Sequence, residues 1–188
     1  MASAPLAALV AGRPLAWRVG LVLAASWLLA ASSWAAIPVG PAPITLQTFT
    51  LLALSALAGP RLAAEIVLVW LGQALIGLPF LAEGAGGPAA FAGPTAGFLA
   101  GFALAAPTVG GLAQTPPWRG WRGLILLFLG AHAFILALGW AWLAVRIGAG
   151  PAWSGGVAPF LPGALLKSLL AAAVVRPAAA RFGVRGRA

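Results

Sequence analysis

Cysteine is absent from this chain, and acidic residues are almost absent. Without thiols the protein forms no disulfide and no cysteine-ligated metal site. Only two acids oppose eleven Lys and Arg residues, which gives a formal net charge of +9. Charged residues make up 7% of the 188 positions and hydrophobic residues 62%, so there are too few polar side chains to cover a soluble globule. The composition predicts an integral membrane protein.

Motifs for ATP hydrolysis and for enzyme catalysis are also missing. Lys167 and Ser168 resemble the end of a phosphate-binding loop, but Leu166 stands where that motif needs glycine. The sequence contains no metal-ligand cluster, nucleophile elbow or pair of carboxylates. We therefore expect neither an enzyme nor a bound cofactor, and any active transport must draw its energy from another protein.

Six apolar runs are long enough to cross, or nearly cross, a membrane. They are rich in Ala, Leu and Gly and lack the alternation of polar and apolar residues that is typical of strands. The pattern predicts an all-α bundle of six transmembrane helices in a single membrane domain, residues 1–188, with a core over 17–176 and a basic tail over 177–188. The runs lie near residues 17–36, 45–59, 62–79, 93–113, 124–147 and 160–176.

The basic residues favour one orientation of these helices. With both termini in the cytoplasm, nine arginines fall on the inner side and only Arg146 falls on the outer side, in agreement with the positive-inside rule. The tail "RFGVRGRA" is then an anchor at anionic lipid, the alternative being a nucleic-acid-binding arm. A cleaved signal ending near "SWAA" is an alternative for the first run. The nine inner residues are Arg13, Arg18, Arg61, Arg119, Arg122, Arg176, Arg181, Arg185 and Arg187.

The predicted outer loops are long and dense in Gly and Pro, unlike the short inner turns. The second and sixth runs have only about 15 and 16 residues, so their outer ends are expected to stop below the membrane surface. Non-helical backbone at that depth is tolerated only where protein or a water-filled cavity covers it. The sequence therefore predicts a pocket that opens to the outside.

Lys167 lies inside the last apolar run, about five residues beyond Pro162. A lysine in a transmembrane helix costs about 2.5 to 3.5 kcal/mol on insertion scales and usually faces a cavity and a partner. Because few acids are available to pair with it, we expect its ammonium to bind a ligand. The alternative is a side chain that extends to the outer membrane interface.

Several other polar or aromatic residues have a structural and a functional interpretation. Glu83, in the second outer loop, is either a solvated carboxylate or a residue at the mouth of the pocket. Thr45 and Gln47 either cap the second helix or border the pocket. Trp70 either packs in the bundle or lines the site, whereas the tryptophans near the helix ends fit an aromatic belt.

Two further polar residues are expected to stabilise the bundle. Glu65 follows Arg61 by one helical turn, which predicts an ion pair between them. His132 stands in the middle of its helix, and a lone histidine in a membrane is usually hydrogen-bonded between helices. A proton relay is the alternative for His132, although no second titratable group lies near it in sequence.

Small residues recur every four positions along the first helix. This spacing permits close approach of another helix, either within the bundle or from another subunit. The pairs are Gly20 with Ala24, Ser26 with Ala30, and Ala31 with Ala35.

Five segments carry a family resemblance: "IPVGPAPITLQTF" (37–49), "GPRLA" (59–63), "IGLPFLAEGAGG" (76–87), "GPTAGFLAGF" (93–102) and "FLPGALLK" (160–167). In this order and spacing they resemble the BioY family, the biotin-specific S components of energy-coupling factor (ECF) vitamin transporters.

The resemblance implies a six-helix S component in the cytoplasmic membrane. It would bind biotin near the extracellular face, with the loop after the first helix closing over the vitamin. The implied partners are a transmembrane T component and two ABC ATPases, with Gly20, Ala24, Ala31 and Ala35 as the docking face. Some family members are thought to work without these partners. The alternatives are a solitary biotin transporter and an S component for another small carboxylate vitamin.

The resemblance also implies a set of ligand-binding residues. Lys167 would bind the biotin carboxylate, and neutral polar groups would serve the ureido ring. The family motif in the last helix usually reads Gly-Asp-x-x-Lys, of which Gly163 and Lys167 are present while Ala164 replaces the acid. Milder departures are Ala96 in place of Gly and Phe98 in place of Tyr. The implied set is Lys167, Gln47, Thr45, Glu83, Gly84, Gly86, Gly87, Trp70, Thr95 and Ala164.

Two rival classes of function remain open at this stage. An integral-membrane enzyme would need a group of reactive side chains, and His132 alone is weak evidence for such a group. A purely structural subunit would have no outward pocket and no affinity for a small ligand.

Overall fold

The computed structural model describes residues 4–185, which form a bundle of α-helices with one short β-hairpin. Six of the helices have twelve residues or more, and three short helices lie at the ends of the bundle. The elements are α1 (Pro5–Val10), α2 (Leu15–Trp34), β1 (Ala36–Ile37), β2 (Ile44–Thr45), α3 (Gln47–Ala58), α4 (Pro60–Leu75), α5 (Pro88–Ala92), α6 (Ala96–Leu112), α7 (Trp121–Ile147), α8 (Ala149–Gly156) and α9 (Leu161–Arg185).

The six long helices coincide with the six predicted apolar runs, which confirms the all-α class. Within the described residues, three helical stretches are long and apolar enough to cross a membrane unaided: Leu15–Trp34, Trp121–Ile147 and Ala149–Arg181. Helices α3 and α6 are shorter apolar helices. With 12 residues, α3 is about 18 Å long, well short of the roughly 30 Å of hydrocarbon. A short second helix was predicted, and it is confirmed.

The prediction of an equally short last helix is wrong. Helix α9 has 25 residues and continues through Pro177 to Arg185, so the first part of the predicted tail is helical. The segment after Pro177 is rich in alanine, the strongest helix former, and it prolongs the helix. Arg187 lies outside the described residues.

Helices α6 and α7 approach each other at glycines. A Cβ atom added to Gly97 of α6 would lie 2.4 Å from Trp142 Cβ and 2.5 Å from Leu138 O, and one added to Gly101 would lie 3.1 Å from Ile135 Cα. Gly139 of α7 in turn leaves room for the ring of Phe98 on α6, because a Cβ added to Gly139 would overlap that ring. Small residues spaced by four let helix backbones come this close.

A tight turn at Gly59 joins α3 to α4 at the opposite end of the bundle from the hairpin. Its φ of 78° falls where side chains other than glycine are strained. Gly110 of α6 packs against the same turn, since a Cβ there would lie 2.7 Å from the Gly59 carbonyl carbon. This end also carries most of the arginines, among them Arg13, Arg18 and Arg61 around one groove.

The predicted Arg61–Glu65 ion pair is wrong. Glu65 on α4 pairs instead with Arg18 on α2: Arg18 Nε donates to Oε2 at 2.9 Å and Nη2 donates to Oε1. Helices α2 and α4 run side by side, so the planar guanidinium of Arg18 meets both carboxylate oxygens of Glu65, a stronger arrangement than a single hydrogen bond.

The β-hairpin after α2 covers the other end of the bundle. Ala36 pairs with Thr45 and Ile37 with Ile44 in antiparallel register. The loop between them touches α8, where a Cβ added to Gly40 would lie 3.3 Å from the carbonyl oxygen of Gly155. The hairpin therefore brings β2 and the residues before it over the N-terminal ends of α3 and α9.

Candidate ligand-binding site

A cavity of about 350 Å³ lies at the hairpin end of the bundle. The hairpin, the segment 81–95 and helices α3, α6, α7 and α9 all contribute to its wall. A volume of this size, mostly apolar walls and a few polar groups are typical of small-molecule sites. The polar residues of the wall are Thr45, Gln47, Thr48, Glu83, Thr95, His132 and Lys167.

Lys167 is the cation of this cavity. The residue lies in the second turn of α9 and is 9% exposed. Its Nζ donates hydrogen bonds to the carbonyl oxygen of Thr45 at 2.5 Å and to Thr48 Oγ1 at 3.3 Å. Among the side chains that the structure describes, residues 4–181, the one ion pair joins Arg18 to Glu65, so no carboxylate of that part of the chain neutralises this ammonium.

A buried ammonium without an acid is unfavourable on its own. An ammonium has three N–H donors, and two of those of Lys167 are taken by the oxygens of Thr45 and Thr48. The remaining donor and the full positive charge are available to a group in the cavity. An anionic oxygen would satisfy both through a charge-assisted hydrogen bond.

Thr45 contributes both to the start of α3 and to the cavity, whereas the side chain of Gln47 makes no capping bond and only borders the cavity. Thr45 Oγ1 accepts a hydrogen bond from the backbone N–H of Gln47 at 3.3 Å, at the first turn of α3. Both residues also line the cavity. Gln47 is 4% exposed, and its Nε2 has no hydrogen-bond partner among the described residues. Its amide is therefore an available donor.

Glu83, Thr95 and Ala164 also line the cavity. Glu83 is exposed and lies at φ 59° and ψ 23°, in the left-handed region that few residues other than glycine adopt. Ala164 stands one turn before Lys167 on α9, and its methyl group makes this part of the wall apolar. Thr95 is the residue before α6.

His132 makes the predicted contact between helices. Its Nδ1 lies 3.1 Å from Ser168 Oγ on α9 and 3.0 Å from the carbonyl oxygen of Phe128 on its own helix. The ring also lines the cavity, which the sequence did not predict. Position in the chain gives no signal for this, because His132 meets the site only once α7 packs beside α9.

Four residues of the predicted set lie outside the cavity wall. Trp70 is fully buried on α4, where its Nε1 donates to the carbonyl oxygen of Phe80 at 3.0 Å. The backbone N–H of Gly87 donates to Ala74 O at 2.7 Å, and Gly86 packs against Leu78 O. These two glycines shape the loop behind the site, and Gly84 belongs to the same loop.

The aromatic part of the wall was missed as a site feature. Phe98 of α6 stacks on Phe160, with ring centroids 6.1 Å apart, and both line the cavity together with Phe102. Phe98 lies in one of the five family-like segments, and this position was the feature of the sequence that could have identified it.

No group of three or more His, Asp or Glu side chains within the described residues could hold a metal ion.

The predicted docking residues lie on the surface of α2 and at the residue that directly follows it. Gly20, Ala24, Ala31 and Ala35 are all exposed, so they take no part in close helix contacts inside the bundle. The close helix contacts are made instead by the glycines of α6 and α7.

The sequence profile of the BioY family matches residues 5–183. The chain belongs to the BioY family. Among curated members, the biotin transporter BioY of Rhizobium etli is 36% identical over 145 residues, covering 72% of this chain and 77% of that protein. The biotin transporter BioY of Rhodobacter capsulatus is 35% identical over 158 residues, covering 75% and 81% respectively.

A solved structure has the same fold. It is the 2.1 Å crystal structure of the S-component for biotin from an ECF-type ABC transporter, and it matches with a TM-score of 0.75 and 25% sequence identity. The match covers 91% of this chain and 92% of that one. This BioY chain therefore has the S-component fold over nearly its whole length.

Proposed function

We propose that this chain takes up biotin across the cytoplasmic membrane as the biotin-binding S component of an ECF-type transporter. The observation that carries the proposal is the buried Lys167 ammonium, which faces a small-molecule cavity and has no carboxylate of the described chain beside it. The family membership and the biotin transporters among its relatives support the same ligand.

Biotin has three parts that the cavity can accommodate. Its carboxylate tail would accept a hydrogen bond from Lys167. Its apolar bicyclic body would pack against Phe98, Phe102 and Phe160. Its ureido ring carries a carbonyl acceptor and two N–H donors, for which Gln47 and other neutral polar groups of the wall are available. One cation, a few neutral polar groups and apolar walls are what such a ligand requires.

A ligand titration of the purified chain tests this proposal. Biotin should bind with nanomolar to micromolar affinity, and other carboxylate vitamins should bind far more weakly. Tighter binding of another vitamin would assign the chain to that ligand instead. Absence of binding to any of them would favour the structural subunit considered above.

The proposed partners are a T component and two ABC ATPases. The chain resembles an S component of an ECF-type transporter, and its sequence contains no P-loop of its own. The exposed small residues of α2 are the proposed docking face, because they would let a helix of the T component approach closely. The alternative is a chain that transports biotin without these partners.

The proposed orientation has both termini in the cytoplasm and the cavity facing outwards. Five arginines lie just before a helix or in its first turn at the side opposite the cavity: Arg13 and Arg119 precede α2 and α7, and Arg18, Arg61 and Arg122 lie in the first turns of α2, α4 and α7. This distribution agrees with the positive-inside rule. The chain is interpreted as a transport protein and not as an enzyme, since the relatives named above are transporters.

A further inference from the structure

His132 is a buried polar residue whose ring is hydrogen-bonded on one side only. It is 4% exposed. Nδ1 lies 3.0 Å from Phe128 O and 3.1 Å from Ser168 Oγ. The other ring nitrogen, Nε2, is buried and has no hydrogen-bond partner in the part of the chain whose side chains are described, residues 4–181, and the residue borders the cavity.

The neighbours of Nδ1 determine where the ring carries its proton. A backbone carbonyl such as that of Phe128 can only accept. Ser168 Oγ lies 2.8 Å from the carbonyl oxygen of Ala164, which also can only accept, so the single hydroxyl proton of Ser168 goes to Ala164. Ser168 Oγ must then accept from His132. Nδ1 therefore bears the proton.

Nε2 of this ring is consequently a hydrogen-bond acceptor. A neutral imidazole protonated at Nδ1 has a lone pair at Nε2. A second positive charge in the cavity that already holds the Lys167 ammonium would be costly, which keeps the ring neutral. The fold thus fixes an acceptor on α7, in a residue that borders a cavity whose α9 wall carries the apolar Ala164.

We propose that His132 is a specificity-determining residue, whose Nε2 accepts a hydrogen bond from an N–H of the bound ligand. The inference rests on the proposed function and deepens it, because in biotin the ureido ring supplies such N–H donors. The unpartnered amide nitrogen of Gln47 supplies the complementary donor, suited to the ureido carbonyl. Together they select a ligand with an N–H beside a carbonyl, a cyclic urea or lactam, over a plain carboxylic acid.

Substitutions that keep a polar atom at one ring-nitrogen position but not at the other test the proposal. In His132→Asn the side-chain amide can replace the Nδ1 donor but has no atom near the Nε2 position. His132→Gln reaches that position with an acceptor oxygen, and His132→Met has a similar length without an amide. Titration calorimetry measures the biotin affinity of the purified full chain. It should fall about tenfold in the His132→Asn and His132→Met variants, which corresponds to about 1.4 kcal/mol of binding free energy. In the His132→Gln variant it should fall about threefold or less.

Ser168→Ala is the matched structural control. It removes the bond between α7 and α9, while Phe128 O still holds the Nδ1 proton and Nε2 remains an acceptor. The melting temperature of the ligand-free protein should fall in this variant, and the biotin affinity should stay within about threefold of the unsubstituted chain.

Three results would overturn the role of His132. The first is a His132→Asn variant that binds biotin as tightly as the unsubstituted chain. The second is an equal loss of biotin affinity in the Gln and Met variants. The third is a loss of affinity in Ser168→Ala as large as in His132→Asn. If the Asn variant does not fold, the comparison of Gln with Met still decides. The unsubstituted chain tests the proposed function separately: if it binds biotin while the variants bind equally well, only the role of His132 fails.

Discussion

At the scale of single residues, the site is organised around one buried ammonium. Lys167 is placed by two oxygens at the start of α3, one from a backbone carbonyl and one from a hydroxyl. Both are neutral, so they orient the ammonium without cancelling its charge. A cation that is held but not neutralised is well suited to an anionic ligand.

Replacing this cation should weaken the binding of an anionic ligand. We expect Lys167→Ala to lower biotin affinity at least tenfold, about 1.4 kcal/mol, because the carboxylate loses its charge-assisted hydrogen bond. Leu166→Ala is the matched control, since the neighbouring Leu166 is 58% exposed on the lipid-facing side of the same helix and should leave affinity unchanged. Calorimetric titration measures both. Equal affinities in the two variants would contradict the role given to Lys167.

The sequence predicted much of the site at this scale. Lys167 was conspicuous because a charge within an apolar run has few explanations. Thr45, Gln47 and Glu83 followed from their positions next to Gly- and Pro-rich loops, and all three line the cavity. His132 could not be placed in the site, because its neighbour Ser168 is 36 positions away and only the packing of helices brings the two together.

At the scale of elements, the cavity depends on how closely α6 and α7 pack. Phe98 of α6 lies against Gly139 of α7, and its ring stacks on Phe160 in the cavity wall. The glycine contacts therefore determine how far this aromatic wall stands from α9. A wider separation of the two helices would move the wall itself.

A methyl group at this helix contact should be destabilising. Gly97→Ala would place a Cβ 2.5 Å from the Leu138 carbonyl oxygen, a backbone atom that cannot rotate away. We expect a loss of about 1 to 3 kcal/mol in stability, as for other overpacked interiors. The measurement is thermal unfolding in detergent, with Gly130→Ala as control because a Cβ there meets nothing within 4 Å. Equal melting temperatures would contradict the close contact.

The presence of each helix was easier to predict from the sequence than the residue at which it ends. All six long helices follow from apolar runs, since few other structures satisfy the backbone in a membrane. The extension of α9 beyond Pro177 was missed because proline and arginine were taken as the end of the helix. The contact of α6 with α7 was missed although "GFLAG" contains glycines four apart, because the same spacing recurs in an alanine-rich chain.

At the scale of the whole molecule, the two ends of the bundle differ in charge and in structure. One end carries the hairpin, α8 and the cavity. The other carries the turn at Gly59 and an arginine-lined groove around Arg13, Arg18 and Arg61. This polarity supports a single orientation in the membrane.

The absence of native cysteine makes this orientation directly measurable. We expect Ser154→Cys, on α8 at the cavity end, to react with a membrane-impermeant thiol reagent in intact cells, because the positive-inside rule places that end outside. Thr115→Cys, at the arginine-rich end, should react only after the membrane is permeabilised. Both side chains are exposed, so access to the reagent depends on the side of the membrane. The reverse labelling pattern would invert the proposed topology.

The exposed small residues of α2 allow a test of partner docking. We expect Ala24→Phe to reduce biotin uptake in cells that contain the energising subunits, because a large ring would hold the partner helix away. Biotin binding to the purified chain should be unchanged, since Ala24 lies outside the cavity wall. Ala137→Phe, at an exposed position of α7, is the control for a large side chain in lipid. Normal uptake in the Ala24 variant would remove α2 from the docking face.

The bond between Lys167 and the Thr45 carbonyl makes the hairpin and a bound ligand share one ammonium. Thr45 is the last residue of β2, so this bond tethers the hairpin to α9. Since the third donor of the ammonium is open to a carboxylate, the tether can hold the cation in place for the ligand. Thermodynamic reciprocity then requires a bound ligand to stabilise the hairpin by as much free energy as the tether adds to its affinity, so opening of the hairpin would weaken binding.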